Sequence, residues 1–170
     1  MIILGIDPGY AIVGIAVIES TGNKTKALYY KAIITDAKQA FSERLLSISQ
    51  QLSQILDHYK PDGIAIESLF FNTNTKTAIN VAQARGALVL KCEQYGCSPI
   101  SLTPLQVKMA VCGYGRATKK QVEYMVMRLL NLKSAPKPDD VCDALAVAIG
   151  GIYEIKRNKA LAKTNKTYRK

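Results

Sequence analysis

The stretch PKPDDVCDALAVAI, residues 136–149, sets three aspartates in front of a run of six small or apolar residues. Pro138 suits the first turn of a helix, where its missing N–H costs nothing, and acids early in a helix complement the dipole or cap the first turn. Asp139 and Asp140 are covered by that reading; Asp143 is not. It lies more than a turn inside the helix, three residues from Asp140 and four from Asp139. Carboxylates at those spacings share one helical face and repel by roughly a few tenths of a kcal/mol. A positive partner is expected there.

Two more acids have a common setting. IILGID and GIAIE are both apolar runs ending in one carboxylate, so Asp7 and Glu67 belong at the carboxyl ends of strands. Ligand sites of open α/β sheets lie beyond those ends. If the two strands are parallel neighbours, about 5 Å apart, the acids meet, and Asp140 and Asp143 complete a cluster of four. Such a cluster must hold protons or a cation. All-oxygen donors select a hard ion, which predicts Mg²⁺, with Mn²⁺ as a substitute. Two ions about 4 Å apart would hold the attacking water and the leaving oxygen of a phosphoryl displacement. Taken singly, Asp7 before Pro8-Gly9 is an ordinary turn-former; it is the convergence that points to a site. The sole histidine, His58, closes an amphipathic helix and reads as structural, and no serine has an evident histidine base.

The elements that must position these acids follow from pattern. IILGI, GIAVIE and ALYYKAII are β-rich runs, the first two separated by a Pro-Gly turn. Phe41, Leu45, Ile48, Leu52, Ile55 and Tyr59 recur at helical spacing. After IAIE a second helix is expected from about residue 75 to 95, then a fifth strand in CSPISL and a short helix from Thr103-Pro104. Thr118 with Gln121 forms a capping box that opens a further helix. The order predicts a mixed α/β sheet of five strands flanked by helices. In the second helix Ala78, Ala82 and Gly86 form a stripe of small residues, which suits either another chain or the protein's own sheet.

Length and composition, 170 residues with 48% hydrophobic, predict one domain over residues 1–155 and a basic, flexible tail over 156–170. No uncharged apolar run approaches the roughly 18 residues of a membrane span, and the first residues lack the flank of a leader, so a cytoplasmic protein is expected. Four cysteines without a C-x-x-C pair suggest buried thiols rather than zinc or disulfides. The net charge of +10 is uneven. Residues 156–170 carry seven basic groups and no acid, and residues 68–137 carry ten basic and two acidic. A basic half around an acidic cluster fits a polyanionic substrate such as nucleic acid.

The phrases GIDPGYAIVGIAVIE, ESLFF, QARGAL, PLQVK with GYGRATKKQV, and DDVCDALAVAI together resemble the RuvC Holliday junction resolvases, in order from residue 2 to about 150. The resemblance implies an RNase H-like fold and a Mg²⁺-dependent homodimer that nicks two strands of a four-way DNA junction symmetrically in recombination and repair. It places the four catalytic, metal-binding acids on Asp7, Glu67, Asp140 and Asp143, leaving Asp139 as a cap or a neighbour of the ligands. It also places Phe70 against junction bases and Lys108 and Lys119 near the scissile phosphate. Phe70 and Phe71 precede the polar stretch NTNTKT, where an aromatic ring can stack on an unpaired base. Lys120 is an alternative to Lys119, and Arg116 and Lys76 are further candidate DNA contacts in the basic half. Partners implied are the junction-binding protein RuvA and the branch-migration motor RuvB.

Other classes are open to the same residues. A strand–D-x-G–strand unit also forms the phosphate loop of actin-like ATPases and sugar kinases, but those pair two such domains and 170 residues supply one. A noncatalytic nucleic-acid binder leaves four convergent acids unexplained. An RNase H-like nuclease of YqgF type, acting on ribosomal RNA precursors, is the nearest enzymatic alternative.

Overall fold

Side chains of a strand alternate between the two faces of its sheet, and that alternation sorts the first half of the chain. The computed structural model describes residues 1–69 and 75–167. β1 (Ile2–Asp7), β2 (Ile12–Thr21) and β3 (Lys24–Ile34) form an antiparallel meander. β4 (Gly63–Glu67) pairs parallel to the free side of β1, and β5 (Ile100–Leu102) parallel to β4. The sheet order is β3-β2-β1-β4-β5, so the two acid-bearing strands are parallel neighbours as their sequence implies.

Five helices cover the sheet: α1 (Phe41–Tyr59), α2 (Thr75–Gln94), α3 (Pro104–Cys112), α4 (Lys119–Leu130) and α5 (Asp139–Thr167). Leu4, Ile6, Ile15, Val17, Ile64 and Ile66 point to one face, where Ile48 and Leu52 of α1 and Ala84 and Leu88 of α2 bury them. Each such Leu or Ile contributes about 1.5–3 kcal/mol when fully buried. Ile3, Ala16, Ile18 and Ala65 point to the other face, against Ala144, Leu145 and Ala148 of α5.

Small residues let α5 lie very close to that second face. A Cβ on Gly5 would overlap the Ala144 carbonyl and Ala148, and one on Gly14 would overlap the Asp140 carbonyl. One on Gly151 would stand 2.8 Å from the Ala65 Cβ. Backbone is thus nearly in contact with backbone along the first half of α5.

Composition changes at residue 156, but secondary structure does not: α5 continues through Thr167. All four cysteines are free, with Cys92 and Cys142 buried and Cys97 and Cys112 half-buried. On α2, Ala84, Leu88 and Cys92 face the core, whereas Ala82 and Gly86 are exposed. Ala82 and Gly86 therefore do not pack on the protein's own sheet, while Ala78 is half-buried. Among the described residues no helix is long and apolar enough to cross a membrane.

Candidate active site

Alternation carries both strand-end acids onto the α5 face: Ile3, Gly5 and Asp7 on β1, and Gly63, Ala65 and Glu67 on β4. In the register Ile6 pairs with Ile66, so Asp7 and Glu67 extend from adjacent strands one step further on. Their carboxyls lie within hydrogen-bonding reach of each other. Burial first, then the charges of Glu67, Asp143 and Asp140, push Asp7 up to about 8. Burial and Asp143 also raise Glu67, while the Asp7 hydrogen bond and the ammonium groups of Lys108 and Lys119 pull it back. Both shifts favour the protonated form of a carboxyl at the Asp7–Glu67 pair.

α5 supplies the other two acids. Its N-terminal turns cross the β1–β2 seam because Gly14, the register partner of Asp7, leaves room for the Asp140 backbone. Burial raises Asp143, and Lys119 opposes the shift. The positive partner expected beside Asp143 is thus Lys119, whose Nζ stands 3.2 Å from Asp143 Oδ2 and 3.4 Å from Asp139 Oδ2.

Two capping boxes aim the lysines. Thr103 Oγ1 accepts from Gln106 N at 3.2 Å while Gln106 Oε1 accepts from Thr103 N at 2.8 Å, fixing the start of α3 and with it Lys108. Thr118 and Gln121 do the same for α4, whose first residue is Lys119. Glu67, Lys108, Lys119 and Asp143 line one cleft of about 260 Å³, with Val107 and Val122 as apolar walls.

One positioning contact has no signal in local sequence pattern. Arg85 on α2 donates from Nε to the backbone carbonyl of Glu67 at 3.2 Å and from its guanidinium to Ser101 Oγ at 2.7 Å. It ties the carboxyl ends of β4 and β5 together, which holds the backbone beneath Glu67.

Lys120 and Arg116 lie elsewhere. Lys120 lines a separate hollow of about 370 Å³ with Cys112, Tyr114 and Tyr124. Arg116 is exposed in the loop between α3 and α4. Lys76 is the second residue of α2, but its side chain, like Phe70 and Phe71, lies outside the described residues.

The donor set fits a hard divalent cation. The four acids supply only carboxyl oxygens, and burial, followed by the neighbouring negative charges, favours on Asp7 a proton that a cation would displace. Among the described residues no three acidic, histidine or cysteine side chains are already closed on one point as a finished metal centre. Lys119 engages Asp143.

Residues 3–151 match the family model of the crossover junction endodeoxyribonuclease RuvC. The chain is 55% identical over 149 residues to a crossover junction endodeoxyribonuclease RuvC of Alkaliphilus metalliredigens, covering 88% of this chain and 91% of that one. It is 52% identical over 161 residues to the one from Clostridioides difficile, covering 95% of both. It also superimposes on T. thermophilus RuvC in complex with Holliday junction substrate, with a TM-score of 0.88 and 31% identity across 93% of this chain and 96% of that chain.

Proposed function

Because the chain belongs to the RuvC family of crossover junction endodeoxyribonucleases, we propose that its cluster of four acids is the centre that cuts DNA at four-way junctions. The protein is a metal-dependent nuclease with an RNase H-like fold, and family membership selects junction resolution over the YqgF-type reading. The observation that carries the site is the meeting of Asp7 and Glu67 on adjacent parallel strands with Asp143 of α5 in electrostatic reach of both.

In this reading Asp7, Glu67, Asp140 and Asp143 would hold Mg²⁺, or Mn²⁺ in its place, with two ions for the four carboxyls. Bound there, the cation supplies activation of water and neutralisation of charge on the leaving oxygen. The chain's own contribution is orientation. α5 is pinned to the sheet by backbone contact at Gly5 and Gly14, so Asp140 and Asp143 approach the strand-end acids at a fixed depth. Lys108 and Lys119 line the same cleft as Glu67 and Asp143 and would meet a phosphate bound there. Phe70 follows the active-site strand and would stack on a junction base; Lys76, Arg116 and Lys120 would contact backbone phosphates farther out.

A four-way junction has two equivalent strands related by a two-fold axis, and one chain carries acids for one site, so resolution calls for a homodimer. The exposed α2 face is its candidate interface. RuvA and RuvB are the partners the family implies, and the cytoplasm the compartment. Residues 1–155 make up the nuclease domain, followed by the basic segment 156–170. Purified protein incubated with Mg²⁺ and, separately, a four-way junction, a linear duplex and a structured RNA tests the reading. Paired nicks confined to the junction are expected, and cleavage of the RNA in preference would overturn it.

A further inference from the structure

The ammonium of Lys119 is shared between two carboxylates of different standing. Asp143 belongs to the cluster assigned to the cation; Asp139 does not. Asp139 is exposed, sits at the first position of α5 four residues before Asp143, and also binds Lys137 Nζ through its other oxygen at 2.9 Å. Lys119 Nζ lies between them, 3.2 Å from Asp143 and 3.4 Å from Asp139.

An ammonium and a divalent cation compete for the same carboxylate. With Asp143 as its sole acceptor, Lys119 would neutralise a metal ligand and make cation binding harder. With Asp139 as a second acceptor on the preceding turn, the amine can leave Asp143 and still remain at the rim of the cluster. That is also where a phosphate-contacting amine has to stand. Lys137 on the far oxygen of Asp139 steadies that carboxylate without lining the cleft.

We propose that Asp139 is a positioning residue that holds Lys119 at the edge of the site and frees Asp143 for the cation. The proposal rests on the reading of Asp7, Glu67, Asp140 and Asp143 as metal ligands. It differs from a role as helix cap or as one more negative charge near the metal, because only a role through Lys119 disappears when Lys119 is gone.

The test is the Mn²⁺ affinity of the free protein without DNA, measured by electron paramagnetic resonance of unbound Mn²⁺ in a double-mutant cycle. Asp139→Asn should weaken Mn²⁺ binding roughly two- to fivefold, the range an exposed ion pair can carry. Lys119→Ala should tighten it, and adding Asp139→Asn to Lys119→Ala should then change little. Asp139→Glu, which keeps the second acceptor, should bind Mn²⁺ nearly as the unaltered protein does. An equal loss from Asp139→Asn with and without Lys119, or no loss at all, would overturn the role of Asp139 while leaving the metal site intact. Asp7→Asn binding Mn²⁺ as well as the unaltered protein would remove the metal-site reading and this proposal with it.

Discussion

Gly14 passes so close beneath α5 that a Cβ there would overlap the backbone carbonyl of Asp140. Gly14 is also the register partner of Asp7, so the contact that brings α5 down is directly opposite the first strand-end acid. Overpacking of this kind costs about 1–3 kcal/mol, and here the atom in the way is backbone, which cannot rotate aside. Gly14→Ala should lower the melting temperature and, at temperatures where the variant stays folded, reduce junction nicking. A variant that melts and nicks like the unaltered protein would show that α5 is not held by this contact.

Asp7 makes the stability of the metal-free protein depend on pH with a definite sign. Its folded-state value is raised to about 8, against about 4 in an unfolded chain. Between those values the folded protein keeps a proton that the unfolded chain has lost, so stability falls as pH rises from about 4 to about 8. Asp7→Asn removes that loss. The melting-temperature advantage of the variant in chelator should therefore grow between pH 5 and pH 8, and saturating Mg²⁺ should cancel it. A difference that stays flat across that interval would mean that Asp7 is already ionised near pH 5.

Replacing each cluster acid by its amide keeps shape while removing charge. Asp7→Asn, Glu67→Gln, Asp140→Asn and Asp143→Asn should each abolish nicking by at least roughly a hundredfold, the scale of a lost electrostatic contact to the reacting centre, while junction binding in gel-shift assays persists. Full activity in Asp140→Asn with none in Asp139→Asn would shift the register of the α5 acids by one.

Lys108 and Lys119 share the cleft with Glu67 and Asp143. Charge that touches the reacting phosphate is most useful as charge develops in the transition state, whereas a backbone-phosphate contact acts on affinity and its salt slope. Alanine at either position should lower the single-turnover nicking rate more than the affinity. Lys120→Ala, altering a side chain in a different hollow, should show the reverse. Pure affinity losses at Lys108 and Lys119 would reassign both to general DNA contact.

The legible parts of this fold are those set by local periodicity. Apolar runs ending in Asp7 and Glu67 mark two strand ends, and the parallel pairing on which their meeting depends is present. Asp143 signalled a missing cation because no cap or dipole accounts for an acid more than a turn inside a helix, and Lys119 is that neighbour. Choosing between Lys119 and Lys120 lies beyond pattern, since one helical step turns a side chain by about 100° and only the packing of α4 decides which one faces the cleft. Gly5 and Gly14 lie inside apolar runs with no pattern that sets them apart, and their close approach to α5 is visible only once the helix is docked. Arg85 reaches the Glu67 carbonyl across 18 residues, a pairing with no local trace. The basic composition from residue 156 marks a change of surface, not an end of helix.

The exposed face of α2 leads to the last prediction. Ile79 and Leu90 are 60% and 59% exposed, and with Ala82 and Gly86 they recur at steps of three, four and four, an apolar stripe along one side of the helix. The opposite side, with Ala84, Leu88 and Cys92, already buries itself on the sheet. A Cβ on Gly86 would meet nothing within 4 Å in the single chain, so a larger residue there costs the monomer only helix-surface exposure. In a two-fold dimer packed along this stripe the same residue would wedge the helices apart. Gly86→Leu or Ala82→Trp should therefore give a folded, soluble monomer of near-normal melting temperature that binds junctions poorly and makes single rather than paired nicks. Analytical ultracentrifugation of the variants beside the unaltered protein, free and on a junction, reads this directly. An unaltered protein that sediments as a monomer in both states would eliminate the dimer, and a variant that remains dimeric would move the interface off α2.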